Sequence, residues 1–438
     1  MPSIQTDVGI YNPIVRASKP IVPISPQGTA QLCRAEVCHL RGLGIDDDHP
    51  VRLLCLAKFF RLRDLTQFNC KLNQSIALIM TQKPEIILYH YRFSPFAKRV
   101  VWYMNLRGIP YTECLQAPVM PRPDVAALGT NYRRIPLVAI GRDIYNDTRL
   151  ILQKLEKLYP EYPKITASTP DQKAVERLLE FWTVESLFTR AASLIPTNLP
   201  LLNDPVFTKD REDYTGKSWA KDSLDKSRPE ALVAFRRAFE ILENTFLADG
   251  RDWILGSSSP TMSDIEGMGL YSQSKWCCVI CPFANVLWRH LAVWPFHWLS
   301  TMKGALPDDY ISPAQFPKTF AWIKRFDEAT RIAASKVGKP KNIVGLEATK
   351  LVSGSSFAES GEVVDAKDPT GLQQGQEVEV WPVDSGMNYK DTGKLVGLTT
   401  EEIVIEAHMK DGEKVKVHTP RHGFRIRAVN GGSSSAKL

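Results

Sequence analysis

Residues 86–100, IILYHYRFSPFAKRV, constrain the fold more than any other stretch of the chain. An apolar and aromatic run of strand length, 86–91, leads directly into a helix start. Ser94 is a favoured N-cap and Pro95 a favoured first helical residue. The helix continues through 96–107, with Phe96, Val100 and Tyr103 near one face, and Gly108 ends it. A second strand is expected at 111–116 and a third at 135–140. A tight turn, Gly141-Arg142-Asp143, leads to a very short fourth at 144–145. Asp147-Thr148 then cap a helix over 149–159, with an apolar stripe of Leu150, Ile151, Leu155 and Leu158. The order is β-α-β-loop-β-β-α in about 75 residues, which is a small α/β domain with a mixed sheet.

Downstream, the pattern changes twice. Residues 171–334 carry helical spacings and no convincing strand. They are clearest at 172–190, in 229–248 (Leu232, Phe235, Phe239, Leu242, Phe246) and at 315–335. A Trp-rich run spans 271–298. Residues 342–375, rich in Gly, Ser, Glu and Asp, read as a linker. Five short alternating runs follow at 377–381, 394–398, 402–406, 414–418 and 424–429, separated by Asp/Gly turns. They suggest a small SH3-like barrel. The expected organisation is a poorly structured extension at 1–79, an α/β domain at 80–163, an all-helical domain at 164–340, a linker at 341–375, an all-β domain at 376–430 and a flexible tail at 431–438. Met80, just before the first patterned strand, is a candidate initiator.

The chain has 438 residues, with 55 Lys+Arg against 48 Asp+Glu and a net charge of +7. The 1–79 extension carries 9 basic and 6 acidic residues, and the part from Gly345 carries 11 and 14, so the excess sits in the middle. That charge is too dilute for a nucleic-acid surface but suits an anionic small ligand. No apolar run reaches membrane-span length, and no basic-then-apolar leader opens the chain. The eight cysteines are irregularly spaced, so reduced thiols are expected. Cys278-Val279-Ile280-Cys281 lies away from any strand-to-helix junction and reads as buried thiols. The eight histidines show no ligand spacing, and no metal is expected.

Three short constellations carry chemistry. Ser94 sits where helix N–H groups and the dipole can stabilise a thiolate. Arg134-Ile135-Pro136 places a proline at a strand start, where a cis peptide would present the preceding backbone to a ligand. Asp147-Thr148 at a helix start can hold a carboxylate and face an ammonium. Taken singly, Ser94 and Asp147-Thr148 are equally ordinary caps. Tyr89 and Tyr91 are alternative hydroxyls.

In this order the three resemble the N-terminal domain of cytosolic glutathione transferases: Ser-Pro-Phe-x-x-Arg-Val, then Lys/Arg-Ile/Val-Pro, then Glu-Ser, with serine-type tau, phi and zeta classes nearest. Pro260-Thr261-Met262-Ser263-Asp264-Ile265 resembles that family's helical capping box. The resemblance covers about 80–335 and is nearest to fungal members with extra C-terminal sequence. It implies a thioredoxin-like domain followed by the family's helical domain, with glutathione as co-substrate. Ser94 would bond the glutathione sulfur. Ile135, beside cis-Pro136, would pair with the cysteine backbone. Asp147 and Thr148, standing for Glu-Ser, would hold the γ-glutamyl end, and Arg134 would meet the glycine carboxylate. The implied activity is conjugation to a hydrophobic electrophile, as in detoxification. Reversible addition that isomerises a double bond, as in secondary metabolism, shares the chemistry. The implied setting is cytoplasmic, and a homodimer is the family's usual assembly. A catalytically inactive binding or scaffold protein is the alternative.

Overall fold

The computed structural model describes residues 83–266 and 293–429. The 1–79 extension, Met80, the 431–438 tail and the Cys278–Cys281 pair lie outside them. The α/β pattern forms β1 (Ile86–His90), α1 (Pro95–Arg107), β2 (Thr112–Leu115), α2 (Pro123–Ala127), β3 (Leu137–Ile140), β4 (Asp143–Asn146) and α3 (Thr148–Leu158), with the short helix α2 inside the segment expected as a loop. β1 pairs parallel with β2 and antiparallel with β3, and β3 pairs antiparallel with β4. β1 is buried at every position because both faces of its sheet are covered. Ile86 and Leu88 enter one core with α1, α3 and the helical domain, whereas Ile87 and Tyr89 enter a second core on the opposite face. The two-residue strand period sorts them.

The helical domain includes α4 (Pro170–Trp182), α5 (Phe188–Ala192), α6 (Pro205–Thr215), α7 (Lys221–Ile241), α8 (Met262–Glu266), α9 (Val293–Ser300) and α10 (Pro317–Val337). The capping box forms at α8. Asp264 accepts from the Thr261 N–H at 2.8 Å and hydroxyl at 2.9 Å, and also from Ile254 N–H and Trp322 Nε1. Arg99 of α1 is fully buried and paired with Glu180 of α4 and Glu266 of α8, which fastens the two domains together.

The C-terminal region departs from the expectation of a free linker and a separate barrel. Within 341–375 lie β5 (Lys341–Asn342) and α11 (Gly345–Ser353). β5 extends the sheet beyond β2. The last five strands are β6 (Glu377–Pro382), β7 (Asp391–Leu398), β8 (Glu402–His408), β9 (Lys414–Pro420) and β10 (Phe424–Ala428). They pair in the order β10-β6-β7-β8-β9, and β9 then pairs parallel with β4. One ten-stranded sheet results. An exposed strand edge invites pairing, and β9 supplies it within the chain. Val378, Leu395, Ile403 and Val417 share the second core with Ile87 and Tyr89, so the β layer and the thioredoxin-like sheet pack as one unit. Gly129 marks how closely they meet: a Cβ there would lie 2.3 Å from the His408 carbonyl oxygen, and its φ is +77°.

Candidate functional site

Ser94 caps α1 from an extended conformation, with Pro95 at the first helical position. Its Oγ accepts the Ala97 N–H at 3.3 Å. A hydroxyl that accepts in this way keeps its own proton to donate. Ser94 lies on the wall of a small cleft, together with Tyr91, Phe96, Ile135 and Phe188. The Ile135-Pro136 peptide is cis. Of the alternative hydroxyls, Tyr91 lines the cleft, whereas Tyr89 is buried in the second core on the other face of β1.

The rest of the wall is cationic. Arg122, Arg133, Arg134 and Arg211 converge there with Tyr214. Arg133 and Arg211 share Asp210, each at 2.5 Å. Arg134 pairs with Asp384 of the β6–β7 connection and lies 3.6 Å from Asp147. Arg122 differs, because its guanidinium donates to the carbonyls of Ala117 (2.8 Å), Pro118 (3.0 Å) and Arg133. It is buried, and burial plus the neighbouring Arg133 charge push its pKa down to about 10. A buried cation surrounded by neutral acceptors has strong affinity for an anion. Arg122, Arg133 and Arg211 escaped the sequence reading because the Arg122-Pro123 segment carried only a turn signal. Arg211 lies on α6, far from any motif.

Asp147 and Thr148 sit at the start of α3 as expected, but neither lines the cleft. Asp147 holds φ at +66°, a sparsely populated conformation for a non-glycine residue. Its carboxylate accepts from the Arg149 N–H (3.1 Å), Nε (3.0 Å) and Nη2 (3.2 Å). Burial alone would raise its pKa, but the Arg149 guanidinium and Arg134 pull it down to about 2. The Thr148 hydroxyl accepts from Arg99. Both residues are buried, at 7% and 3% exposure, as Ser94 is at 2%; the bonds from Arg149, Arg134 and Arg99 set them apart from the cap of α1. The β layer covers this end: His422 pairs with Glu185, and Arg134 packs over the Phe424 ring.

A second polar cluster ties the β layer to the sheet. His418 of β9 is fully buried, with Nδ1 2.6 Å from Glu402 and Nε2 2.8 Å from Asp143. Burial lowers its pKa, but these two carboxylates outweigh burial and raise it. Glu359, Glu402 and His418 are close enough together to hold a cation. Lys154 Nζ already stands among them, 2.6 Å from Glu359 and 2.8 Å from Glu402.

A thioredoxin-like sheet, a following helical domain and a Ser-capped helix on a cationic cleft define the fold class of the glutathione transferases. The sequence comparisons agree. Residues 88–163 match the family model of the glutathione S-transferase N-terminal domain, and 190–276 with 287–335 match a domain of unknown function, DUF7962. The chain is 21% identical over 266 residues to glutathione S-transferase U1 of Arabidopsis thaliana, across 60% of this chain and 94% of that one. Among solved structures, a GST-like protein from Pseudomonas syringae superposes with a TM-score of 0.55 at 22% identity, covering 78% of this chain and 99% of that one. Rice GST1, solved in complex with glutathione, covers 62% of this chain and 97% of its own at 14% identity and a TM-score of 0.38. The family-model match over 88–163 and the Arabidopsis match support a glutathione S-transferase-type N-terminal domain. No described helix is long and apolar enough to cross a membrane.

Proposed function

We propose that this protein is a glutathione transferase-like enzyme of the serine type, with a tau-, phi- or zeta-like N-terminal domain. The observation that carries this reading is Ser94, poised at a helix N-terminus on the wall of an arginine-rich cleft. The Ser94 Oγ–H donates to the glutathione sulfur and, with the α1 N-terminus, favours the thiolate. The serine forms no covalent bond. The thiolate attacks an electrophilic carbon of an apolar substrate bound against Phe96 and Phe188, either expelling a leaving group with its electron pair or adding to an activated double bond whose other end takes a proton from water. The product is either a stable thioether, or an adduct that eliminates the thiol again with its double bond isomerised.

Ile135 meets the cysteine backbone of glutathione beside Pro136, and Asp147 with Thr148 holds its γ-glutamyl end. Arg134 was expected at the glycine carboxylate, but its place beside Asp147 favours the γ-glutamyl α-carboxylate. Arg122, with no acid bonded to it, suits the glycine carboxylate. The wider setting proposed is a cytoplasmic homodimer of fungal type acting in detoxification or secondary metabolism. The burial of Asp147 and Thr148 favours a second reading, a non-catalytic binding protein.

Retention on glutathione resin, followed by conjugation assays, tests the choice. Ser94→Ala is expected to lower kcat about 10- to 100-fold, the worth of one hydrogen bond to a charged group. No retention and no turnover would reject the enzyme. Full activity in Ser94→Ala would move the catalytic role to Tyr91.

A further inference from the structure

Arg134 is where the cleft and the β layer meet. Its guanidinium lines the cleft, yet it pairs with Asp384 and donates to the Ser385 carbonyl at 3.0 and 3.3 Å. Both partners belong to residues 383–390, which connect β6 to β7. The connection is tied down at its two ends. Pro382 is in register with Phe424, and Asp391 accepts from the Thr130 hydroxyl (2.9 Å) and Asn131 N–H (2.5 Å). Between those ties, the loop reaches the cleft through Asp384, Ser385 and the Gly386 N–H, which donates to the Tyr214 carbonyl at 2.9 Å. The Asp384 side chain is 66% exposed and can swing into water without unfolding anything, whereas the Arg134 side chain, at 12%, stays within the protein.

We propose that Asp384 is an internal counter-ion that competes with a ligand carboxylate for Arg134 and so sets the cleft's selectivity among thiols. The proposal rests on the glutathione reading above. Arg134 already offers Nη2 to Asp384 and Nη1 to Asp147, and a further carboxylate arriving at Nη2 is repelled by the acid that occupies it. A thiol carrying a γ-glutamyl α-carboxylate must therefore displace Asp384 into water. Its apparent affinity falls by the fraction of time that Arg134 is occupied. A thiol without that group leaves Asp384 where it is. Asp384 is thus a specificity-determining residue contributed by the β layer.

Calorimetric titration of the full chain with glutathione and with cysteinylglycine, which lacks the γ-glutamyl group, tests this. Asp384→Asn is expected to tighten glutathione binding about two- to fivefold, the range of a largely exposed ion pair, and to leave cysteinylglycine unchanged. Asp384→Glu should keep the wild-type preference, and in an Arg134→Gln background Asp384→Asn should change nothing. Unchanged or weaker glutathione binding in Asp384→Asn, or an equal gain for cysteinylglycine, would overturn the proposal. If neither thiol binds either protein, the glutathione reading fails and this inference fails with it. That result is distinct from two equal, measurable affinities.

Discussion

The candidate site has two helix N-termini that read alike in sequence and differ in the folded chain. At the start of α1, Ser94 accepts one backbone N–H and faces the cleft. At the start of α3, Asp147 is held by Arg149 and Arg134, Thr148 is held by Arg99, and both are buried away from the cleft. Local chemistry fixes that each residue caps its helix. Whether a cap remains available to a ligand depends on partners that arrive from elsewhere in the chain. Arg99 comes from α1, and the cover over Asp147 comes from the β layer.

The largest effect is expected from breaking the buried end. Arg99 is fully buried among Glu180, Glu266 and Thr148. Burial, only partly offset by Arg99, raises the Glu266 pKa. Arg99→Met leaves buried Glu266 without its cation and Glu180 with only the exposed Arg177, and orphaning a buried carboxyl typically costs about 3–5 kcal/mol. Urea unfolding should show the loss as a lower midpoint. An unchanged midpoint would mean that the α3 end does not depend on this network, and the contrast with Ser94 would lose its physical basis.

A smaller effect is expected at the open end, where it should fall mainly on binding. Arg122→Gln removes a buried cation that donates only to carbonyls. Glutathione affinity should fall about 10- to 100-fold, the worth of a charge-assisted hydrogen bond of about 1.5–3 kcal/mol. Stability should fall less than in Arg99→Met, because the Ala117, Pro118 and Arg133 carbonyls lose a donor but no carboxylate is orphaned. Calorimetry and thermal melting of the same sample separate the two readouts. Equal affinity with wild type would mean that Arg122 is structural and the two ends are alike.

The strand-helix order of the first domain was legible because each element is specified locally. The run at 86–91, the Ser94-Pro95 start and the Gly108 stop are all short-range signals. The capping box at Thr261–Asp264 was legible for the same reason. The β4–β9 pairing was not legible. It joins Tyr145 to His418 across most of the chain, and nothing local in either strand names the other. Each strand's alternation is satisfied equally by a closed barrel or by a shared sheet. Arg122 was missed because its importance lies in what it lacks, a carboxylate partner, and only the folded chain shows that.

The β4–β9 seam gives the mildest test, because it is read through pH. The buried His418 imidazole stands between Asp143 and Glu402, with Lys154, Glu359 and Tyr145 around it. Its pKa in the folded chain is raised above that of an ordinary histidine. The folded state therefore holds this proton more tightly than the unfolded chain does. The resulting stabilisation is complete below the unfolded value of about 6.5 and is lost as pH rises through the folded value. One proton limits the slope to about 1.4 kcal/mol per pH unit. Asp391 has its pKa raised by burial to about 6 and contributes a slope of the same sign, so wild type alone cannot isolate the histidine. The difference between wild type and His418→Asn can, because Asp391 is common to both. Urea midpoints measured from pH 5.5 upward should show wild type losing stability more steeply than His418→Asn. Parallel curves would mean that the histidine stays neutral, and the seam would then be held by packing and the strand ladder alone.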